Sequence, residues 1–185
     1  MEPTQYLAKI LEELQVAVTT ISDQNAHKLV ERIAAANKVF VSGAGRSGLM
    51  GKAFAMRMMH MGVDAYVVGE TVTANLEKGD LLIIGSGSGE TKSLIPIVEK
   101  AKSLGGDVAV VTLSSESTLA KLADLTIILP GSPKDHSGNS SITIQPMGSL
   151  FEQTLLLFYD SLILSYMENK QLDSQTMYGK HANLE

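Results

Sequence analysis

The segment LLIIGSGSGET, residues 81–91, carries the clearest structural signal in this sequence. Its first four residues, Leu81–Ile84, form an uninterrupted apolar run, which is typical of a strand buried on both faces of a sheet. Three glycines follow within five positions, and glycine permits the positive φ of a tight turn. Apolar residues then recur with helical spacing, which predicts a helix from Glu90 or Thr91 to Leu104. The segment therefore predicts one strand–turn–helix unit of a parallel α/β sheet.

The turn in this unit has the composition of an anion site. Free N–H groups at a helix start, together with the positive end of the helix dipole, favour a bound anion. Ser86, Ser88 and Thr91 add hydroxyl donors, and Gly87 and Gly89 let a ligand approach the backbone between them. The turn holds no basic residue and lacks the Gly-Lys-Ser/Thr ending of a nucleotide-binding loop. These features favour a compact phosphate monoester, such as a sugar phosphate.

A second glycine turn, GAGRSG at Gly43–Gly48, lies between a predicted strand at 39–41 and a predicted helix at 47–61. It satisfies the GxGxxG pattern, which alone is a weak signal for a dinucleotide. Such a site also needs an acidic residue at the end of the next strand, to hold a ribose. Asp64 begins that strand and Glu70 lies in a polar segment beyond it. The sequence therefore disfavours a dinucleotide cofactor.

The remaining elements alternate in the order of a parallel sheet. Further strands are predicted at 64–68, 107–113 and 125–129, and a short helix at 117–123. Amphipathic helices at 5–21 and 22–37 precede the first strand, and a long apolar helix begins near Ser149. The loop 130–148 breaks the pattern, and a loop of that length is typically functional or part of an interface. We predict a three-layer α-β-α sandwich with five parallel strands, in a single domain over residues 1–185.

Composition limits the classes of function. A chain of 185 residues that is 44% hydrophobic can bury one substantial core. Its net charge of -5 argues against a nucleic-acid partner, and the absence of cysteine excludes disulfides and thiolate metal sites. The first residues do not form a secretory signal, and no apolar run reaches membrane-spanning length. We expect a cytoplasmic protein that does not associate with a membrane.

The two glycine turns, in this order, resemble the motifs of the SIS (sugar isomerase) domain family over roughly residues 25–165. The segments FAMRMMHMG at 54–62, QPMGSLFEQ at 145–153 and HANLE at 181–185 are similar to the 6-phospho-3-hexuloisomerase branch of that family. This resemblance implies a flavodoxin-like sheet of five parallel strands. It also implies a homotetramer with sites near the subunit contacts, where we expect helix 5–21 and tail 170–185.

The resemblance also implies a reaction, the interconversion of D-arabino-3-hexulose 6-phosphate and D-fructose 6-phosphate in the ribulose monophosphate pathway of formaldehyde fixation. Moving the carbonyl from C3 to C2 through a 2,3-enediol requires a base, a donor near the carbonyl oxygens and a grip on the phosphate. No metal or redox cofactor is needed. Two alternatives remain. In these the chain is either another sugar-phosphate isomerase of the family, which converts a pentulose phosphate to an aldose phosphate, or a non-catalytic regulator that binds a sugar phosphate.

Three residues are predicted to be catalytic from this resemblance. Glu152 matches the glutamate that acts as the base at the start of this helix in SIS isomerases. The alternative for Glu152 is structural, because Ser149 to Glu152 reads S-x-x-E, the pattern of a capping box. His60 or His181 matches the histidine that assists ring opening or proton transfer, with His181 reaching a neighbouring subunit. His60 alternatively complements the carboxyl end of its helix or lies in the core.

For the phosphate, the matched motifs assign Ser86, Ser88 and Thr91 from one turn and Ser47 from the other, beside Gly45. The alternative is that these hydroxyls only cap helices. Arg46 is predicted either to pair with the phosphate or substrate hydroxyls, or to bridge to an acidic residue of another subunit.

Overall fold

A computed structural model describes residues 1–132 and 143–184. Its sheet is built from β1 (Val39–Gly43), β2 (Ala65–Val67), β3 (Leu81–Gly85), β4 (Asp107–Thr112) and β5 (Leu125–Ile128). All neighbouring strands pair in parallel, in the order β2-β1-β3-β4-β5. This is the doubly wound order of the flavodoxin-like fold, so the predicted fold class is confirmed.

The helices are α1 (Pro3–Val18), α2 (Asp23–Ala35), α3 (Gly45–His60), α4 (Ile95–Ser103), α5 (Thr118–Leu122), α6 (Ser149–Lys170) and α7 (Ser174–Tyr178). Over the two described ranges, none of them has both the length and the apolar character that crossing a bilayer demands.

The strands bury both of their faces, which explains their continuous apolar sequences. In β3, Leu81 and Ile83 join the core under α2, α3 and α6, whereas Leu82 and Ile84 join the core under α4 and α5. This alternation is the period of two that a pleated strand imposes. All four side chains are at most 1% exposed, and each contributes about 1.5–3 kcal/mol of apolar burial.

The helix after the central strand begins later than its apolar spacing predicts. α4 starts at Ile95, not at Glu90 or Thr91. A helix running through Thr91 would need the N–H of residue 96 to donate to the carbonyl four residues earlier. Pro96 has no N–H, and its ring would collide with that carbonyl. The chain instead makes a single turn, in which the Leu94 N–H donates to the Thr91 carbonyl at 2.9 Å.

The amino-terminal helix lies outside the two core layers. α1 packs on α6 and buries only Ala17. It begins and ends two or three residues before the predicted 5–21. Its exposed apolar residues are Tyr6, Leu7, Leu11, Val16 and Val18, each at least 48% exposed.

Candidate functional site

Both glycine turns end neighbouring parallel strands, so they meet at the same edge of the sheet. Gly43 of β1 pairs in register with Gly85 of β3, and the first turn of α6 lies across both. Together they enclose a cavity of about 510 Å³. Ligands bind outside the carboxyl ends of the strands in this fold, where the strand order reverses. The lining residues are Ala44, Gly45, Ser47, Gly85, Ser86, Gly87, Ser88, Thr91, Leu113, Ser132, Gly148, Phe151 and Glu152.

The first turn brings the start of α3 directly to the cavity. Gly45 has a φ of 57° and begins the helix. A methyl group on Gly48 would lie 2.6 Å from the Gly43 carbonyl oxygen, so only glycine lets the helix pack this closely on the strand end. The N–H groups of the first helical turn have no partner within the helix and point towards its amino-terminal end. The hydroxyl of the buried Ser47 lies beside them.

The second turn forms a cup of hydroxyl groups. The Ser86 and Thr91 hydroxyl oxygens are 3.1 Å apart, and the Gly89 N–H donates to Ser86 Oγ at 3.3 Å. The Glu90 N–H donates to Ser88 Oγ at 3.2 Å. The predicted phosphate residues Ser47, Ser86, Ser88 and Thr91 thus line one cavity. Their arrangement suits a bound anion held by neutral donors.

Contacts with the next unit of the fold hold this cup in place. The Gly87 carbonyl accepts from the Thr112 hydroxyl at 3.1 Å and from the Leu113 N–H at 3.0 Å. The Glu90 carboxylate accepts from the Thr118 N–H at 2.7 Å and the Thr118 hydroxyl at 2.8 Å. These two hydrogen bonds hold the pKa of Glu90 below its ordinary value. Contacts within the chain therefore fix the second turn on both sides.

Gly89, predicted to contact phosphate, is not among the lining residues. Its φ is 63°, and a methyl group there would overlap the side chain of Ser117. Ser117 caps α5 by accepting from the Ala120 N–H. The sequence analysis missed Glu90 and Ser117 as supports of the turn. The local signal for Ser117 is its position directly before α5, because a serine that precedes a helix commonly caps it.

Glu152 lies in the cavity wall and is 5% exposed. Its Oε2 is 3.2 Å from Arg46 Nη1, and the same nitrogen donates to the Ser149 hydroxyl at 3.2 Å. Arg46 therefore joins the first turn to α6 within one chain. The sequence predicts a contact with the substrate or with another subunit, whereas Arg46 here pairs within its own chain and is not among the lining residues of the cavity.

The capping box is the wrong alternative for Glu152. Gly148, not Ser149, is the N-cap of α6, and no side chain caps this helix end. The Glu152 N–H donates to the Gly148 carbonyl at 3.0 Å. Because Ser149 already has helical geometry, its hydroxyl turns towards Arg46 instead of towards the backbone.

The two histidines lie at the other end of α3. His60 is the last residue of this 16-residue helix, about 22 Å along its axis from Gly45. The rings of His60 and His181 stack with centroids 5.3 Å apart, and Arg57 Nη1 is 3.5 Å from His60 Nδ1. Burial, and then the nearby charges of His181 and Arg57, lower the pKa of His60. Neither histidine lies in the cavity of its own chain.

Two other kinds of site were weighed from the sequence. Glu70, the candidate for a ribose contact, pairs with Lys52 at 3.2 Å. Across residues 1–132 and 143–184, no three histidine, aspartate or glutamate side chains are placed to hold a metal ion together.

Phe151 is the largest of the cavity-lining residues that were not predicted from the sequence. A methyl group on Gly87 would lie 3.2 Å from its ring, and one on Gly131 would lie 2.8 Å from its Cβ. Phe151 therefore closes the cavity between the second turn and the end of β5. No local pattern indicates this role, because the contacts join residues far apart in the sequence.

Comparison with known proteins agrees with this geometry. The sequence model of the SIS domain family matches residues 32–157. This chain therefore belongs to the SIS domain family. Over all 185 residues it is 60% identical to the 3-hexulose-6-phosphate isomerase of Bacillus subtilis, and the match covers both chains completely.

A second relative carries the same name, and a solved structure has the same function inferred for it. The chain is 36% identical to the 3-hexulose-6-phosphate isomerase of Mycobacterium gastri, over 98% of this chain and 91% of that one. Among solved structures, a Methanococcus jannaschii protein inferred to be a 3-hexulose-6-phosphate isomerase superposes with a TM-score of 0.82 at 35% identity, and both chains are covered completely.

Proposed function

We propose that this chain is a 3-hexulose-6-phosphate isomerase, which interconverts D-arabino-3-hexulose 6-phosphate and D-fructose 6-phosphate in the ribulose monophosphate pathway. One observation carries the proposal. A buried carboxylate, Glu152, shares a cavity with a cup of neutral hydroxyl and backbone donors. An enediol isomerase needs both parts, a base and a grip on the phosphate. The names of the full-length relatives supply the substrate.

The substrate phosphate is held by the two glycine turns. Ser86, Ser88 and Thr91 supply hydroxyl donors, and Ser47 adds one at the start of α3. The amino-terminal end of α3 adds the positive end of its dipole. The cavity volume of about 510 Å³ lies in the range of small-molecule sites.

Glu152 acts as the base. Its carboxylate takes the proton from C2, the electrons of the C–H bond form the C2=C3 double bond, and O3 takes a proton. The 2,3-enediol then loses the proton on O2, which balances the one gained on O3, a carbonyl forms at C2, and the protonated Glu152 returns a proton to C3. Arg46 Nη1 lies 3.2 Å from Glu152 Oε2, and this contact fixes the position of the carboxylate in the cavity wall. Atoms and charge balance without a cofactor.

The proposed enzyme is a cytoplasmic homotetramer of single SIS domains, each spanning residues 1–185. The exposed apolar residues on α1 support the homotetramer, since surface patches of this kind mark contacts with other proteins. In this arrangement α1 and the tail 170–185 lie at the subunit contacts. His60 and His181 could serve catalysis only in the site of a neighbouring subunit, because both are remote from their own cavity.

Deuterium exchange tests the reaction with the protein alone. Incubated with fructose 6-phosphate in D₂O, the protein should introduce deuterium at C3, which 13C NMR detects. An isomerase that forms an aldose would instead label C1, and a sugar-phosphate regulator would label neither carbon. Label at C1 only, or no label, would overturn the proposed function.

Glu152→Gln tests the assigned base. We expect kcat to fall by at least about 100-fold, which is the lower range for loss of a general base. Competition by inorganic phosphate should be unchanged, because the phosphate donors remain. Glu168→Gln, an exposed change near the end of the same helix, is the matched control and should keep full activity. A Glu152→Gln variant that is less stable but fully active would show that this carboxylate is structural.

A further inference from the structure

The chain that leads into α6 is held from outside the core by α1. The Glu13 carboxylate accepts three hydrogen bonds from this segment. Its donors are the Thr143 hydroxyl at 2.6 Å, the Ile144 N–H at 2.7 Å and the Gln145 side-chain amide at 2.8 Å. A fourth bond, from the Gln145 N–H to Thr143 Oγ1 at 3.0 Å, closes the group. We call Glu13 and residues 143–145 the α1 clamp.

The clamp places polar groups where they need partners. Thr143 and Gln145 are 6% and 7% exposed, so water does not satisfy them well. Partial burial of Glu13 opposes its ionisation, but the bonds from Thr143, Gln145 and Ile144 outweigh this effect and hold the pKa of Glu13 below its ordinary value. The carboxylate therefore stays ionised at neutral pH.

Only a short connection separates the clamp from the proposed base. Met147 has a φ of 55°, in the left-handed region that non-glycine residues rarely occupy. The Ser149 N–H then donates to the Pro146 carbonyl at 3.2 Å, and α6 begins. A conformation of this kind persists when the surroundings fix it on both sides. The clamp fixes one side and the first turn of α6 fixes the other.

α1 also contacts the far side of the same region. A second cavity, between α1 and the body of the domain, is lined by Glu13, Ala17, Pro130 and Leu150, among others. α1 therefore borders the end of the chain after β5 as well as the start of α6. The same helix carries the exposed apolar row, so it is in contact with the site region while most of its apolar surface faces outwards.

We propose that Glu13 is a positioning residue for the isomerase site, which fixes the chain entering α6 and thereby the placement of the Glu152 carboxylate. The inference rests on the proposed function. Glu13 does not line the cavity, so it acts through the backbone of residues 143–149. Proton abstraction is sensitive to such placement, because a shift of about 1 Å in a reacting group can cost about 100-fold in rate.

Glu13→Gln weakens the clamp with the least change of shape. The amide has one oxygen in place of two and no charge, so the three charge-assisted hydrogen bonds of the carboxylate are weakened or lost. Helix propensity is nearly the same for both residues. We expect kcat to fall by about tenfold while KM and the inhibition constant of inorganic phosphate change by less than about twofold, the pattern of a misplaced catalytic group. The phosphate donors lie on α3 and the second turn, away from α1.

Glu12→Gln is the matched control. It removes the same charge from the same turn of α1, but the side chain is exposed and lies outside the clamp. Its kcat should equal that of the unmodified protein. Hydrogen exchange provides a readout besides activity, since the amides of Ile144 and Gln145 should exchange faster in Glu13→Gln and not in Glu12→Gln.

The combination of Glu13→Gln with Gln145→Met tests whether both side chains act through one contact. The double variant should lose no more kcat than the worse single variant, because coupled positions are not additive. The inference would be overturned if the fold-losses in kcat of the two single variants multiplied in the double variant. It would also be overturned if the kcat of Glu13→Gln equalled that of Glu12→Gln. Failure of the unmodified protein to label C3 of fructose 6-phosphate would overturn the proposed function and this inference together.

Discussion

The two glycine turns have similar compositions and different constructions. GAGRSG, Gly43–Gly48, follows β1, and GSGSGE, Gly85–Glu90, follows the neighbouring strand β3. The first turn enters α3 at once, so the helix start itself faces the cavity. The second turn is separated from α4 by residues 91–94, so it presents hydroxyl groups in place of a helix start. One cavity thus has two different kinds of donor that suit an anion, a helix start and a group of hydroxyls.

The difference extends to what surrounds each turn. A methyl group on Gly45 would meet nothing within 4 Å, whereas one on Gly89 would overlap Ser117. Both glycines have nearly the same positive φ, 57° and 63°. Glycine is therefore required at the first position only by backbone conformation, and at the second also by the α5 cap packed against it. The second turn depends on its neighbours, and the first is largely self-contained.

Gly89→Ala and Gly45→Ala give the largest effect and test this comparison directly. The left-handed backbone costs alanine about 1–2 kcal/mol at either position. At Gly89 the overlap with Ser117 also displaces the α5 cap, so we expect a total loss of more than about 3 kcal/mol in the free energy of unfolding. Urea denaturation of both variants measures the difference. Equal losses would show that the packing of Ser117 against Gly89 adds nothing to the requirement for glycine at this position.

The sequence predicts most of the fold because the strands carry their own signal. Apolar runs such as Leu81–Ile84, followed by glycine turns, are typical of central strands, and their alternation with helices leaves few topologies. The late start of α4 was also available from the sequence, since Pro96 excludes a helix through Thr91. The apolar spacing alone predicts a start of α4 that is too early, because it takes no account of the N–H that Pro96 lacks.

The site is less predictable, because its decisive contacts join distant positions. Arg46 and Glu152 are 106 residues apart, and Glu13 and Thr143 are 130 apart. No local pattern encodes such a pair. The turn residues could be predicted because glycine and serine next to a strand favour particular turn conformations. The partner of a charged side chain, in contrast, depends on tertiary packing.

Glu90→Gln gives an intermediate effect and loosens the second turn alone. The amide oxygen still accepts from the Thr118 N–H and the NH₂ group faces the Thr118 hydroxyl, so two charge-assisted hydrogen bonds are replaced by weaker neutral ones. We expect KM to rise by roughly fivefold with kcat within about twofold, because the phosphate donors are less well held while the base is untouched. Steady-state kinetics of the C3 exchange reaction measures both quantities.

Glu116→Gln is the control for this change. It removes a carboxylate that lies just before α5 and pairs with Lys121 of that helix, but it does not contact the second turn. If it raised KM as much as Glu90→Gln, the effect would come from charge near α5 and not from the support of the turn.

Acidification gives the smallest effect and should leave both turns unchanged. The pKa of His60 is lowered in the folded protein, so the undocked or unfolded chain binds a proton more readily. The stability that comes from packing His181 on His60 is therefore complete above the ordinary pKa of about 6.5 and declines as the pH falls below it. Glu13 and Glu90 have lowered pKa values, so they stay ionised in this window.

Hydrogen exchange between about pH 7.5 and pH 5.5, corrected for the intrinsic rate, separates the two ends of α3. Protection should fall for the tail around α7 and stay constant for residues 43–48 and 85–91. His60→Gln should abolish the pH dependence of the tail, whereas His27→Gln, a change at an exposed histidine of α2, should not. Loss of protection in the turns over the same window would mean that the far end of α3 does influence the site, and the first turn would then not be self-contained.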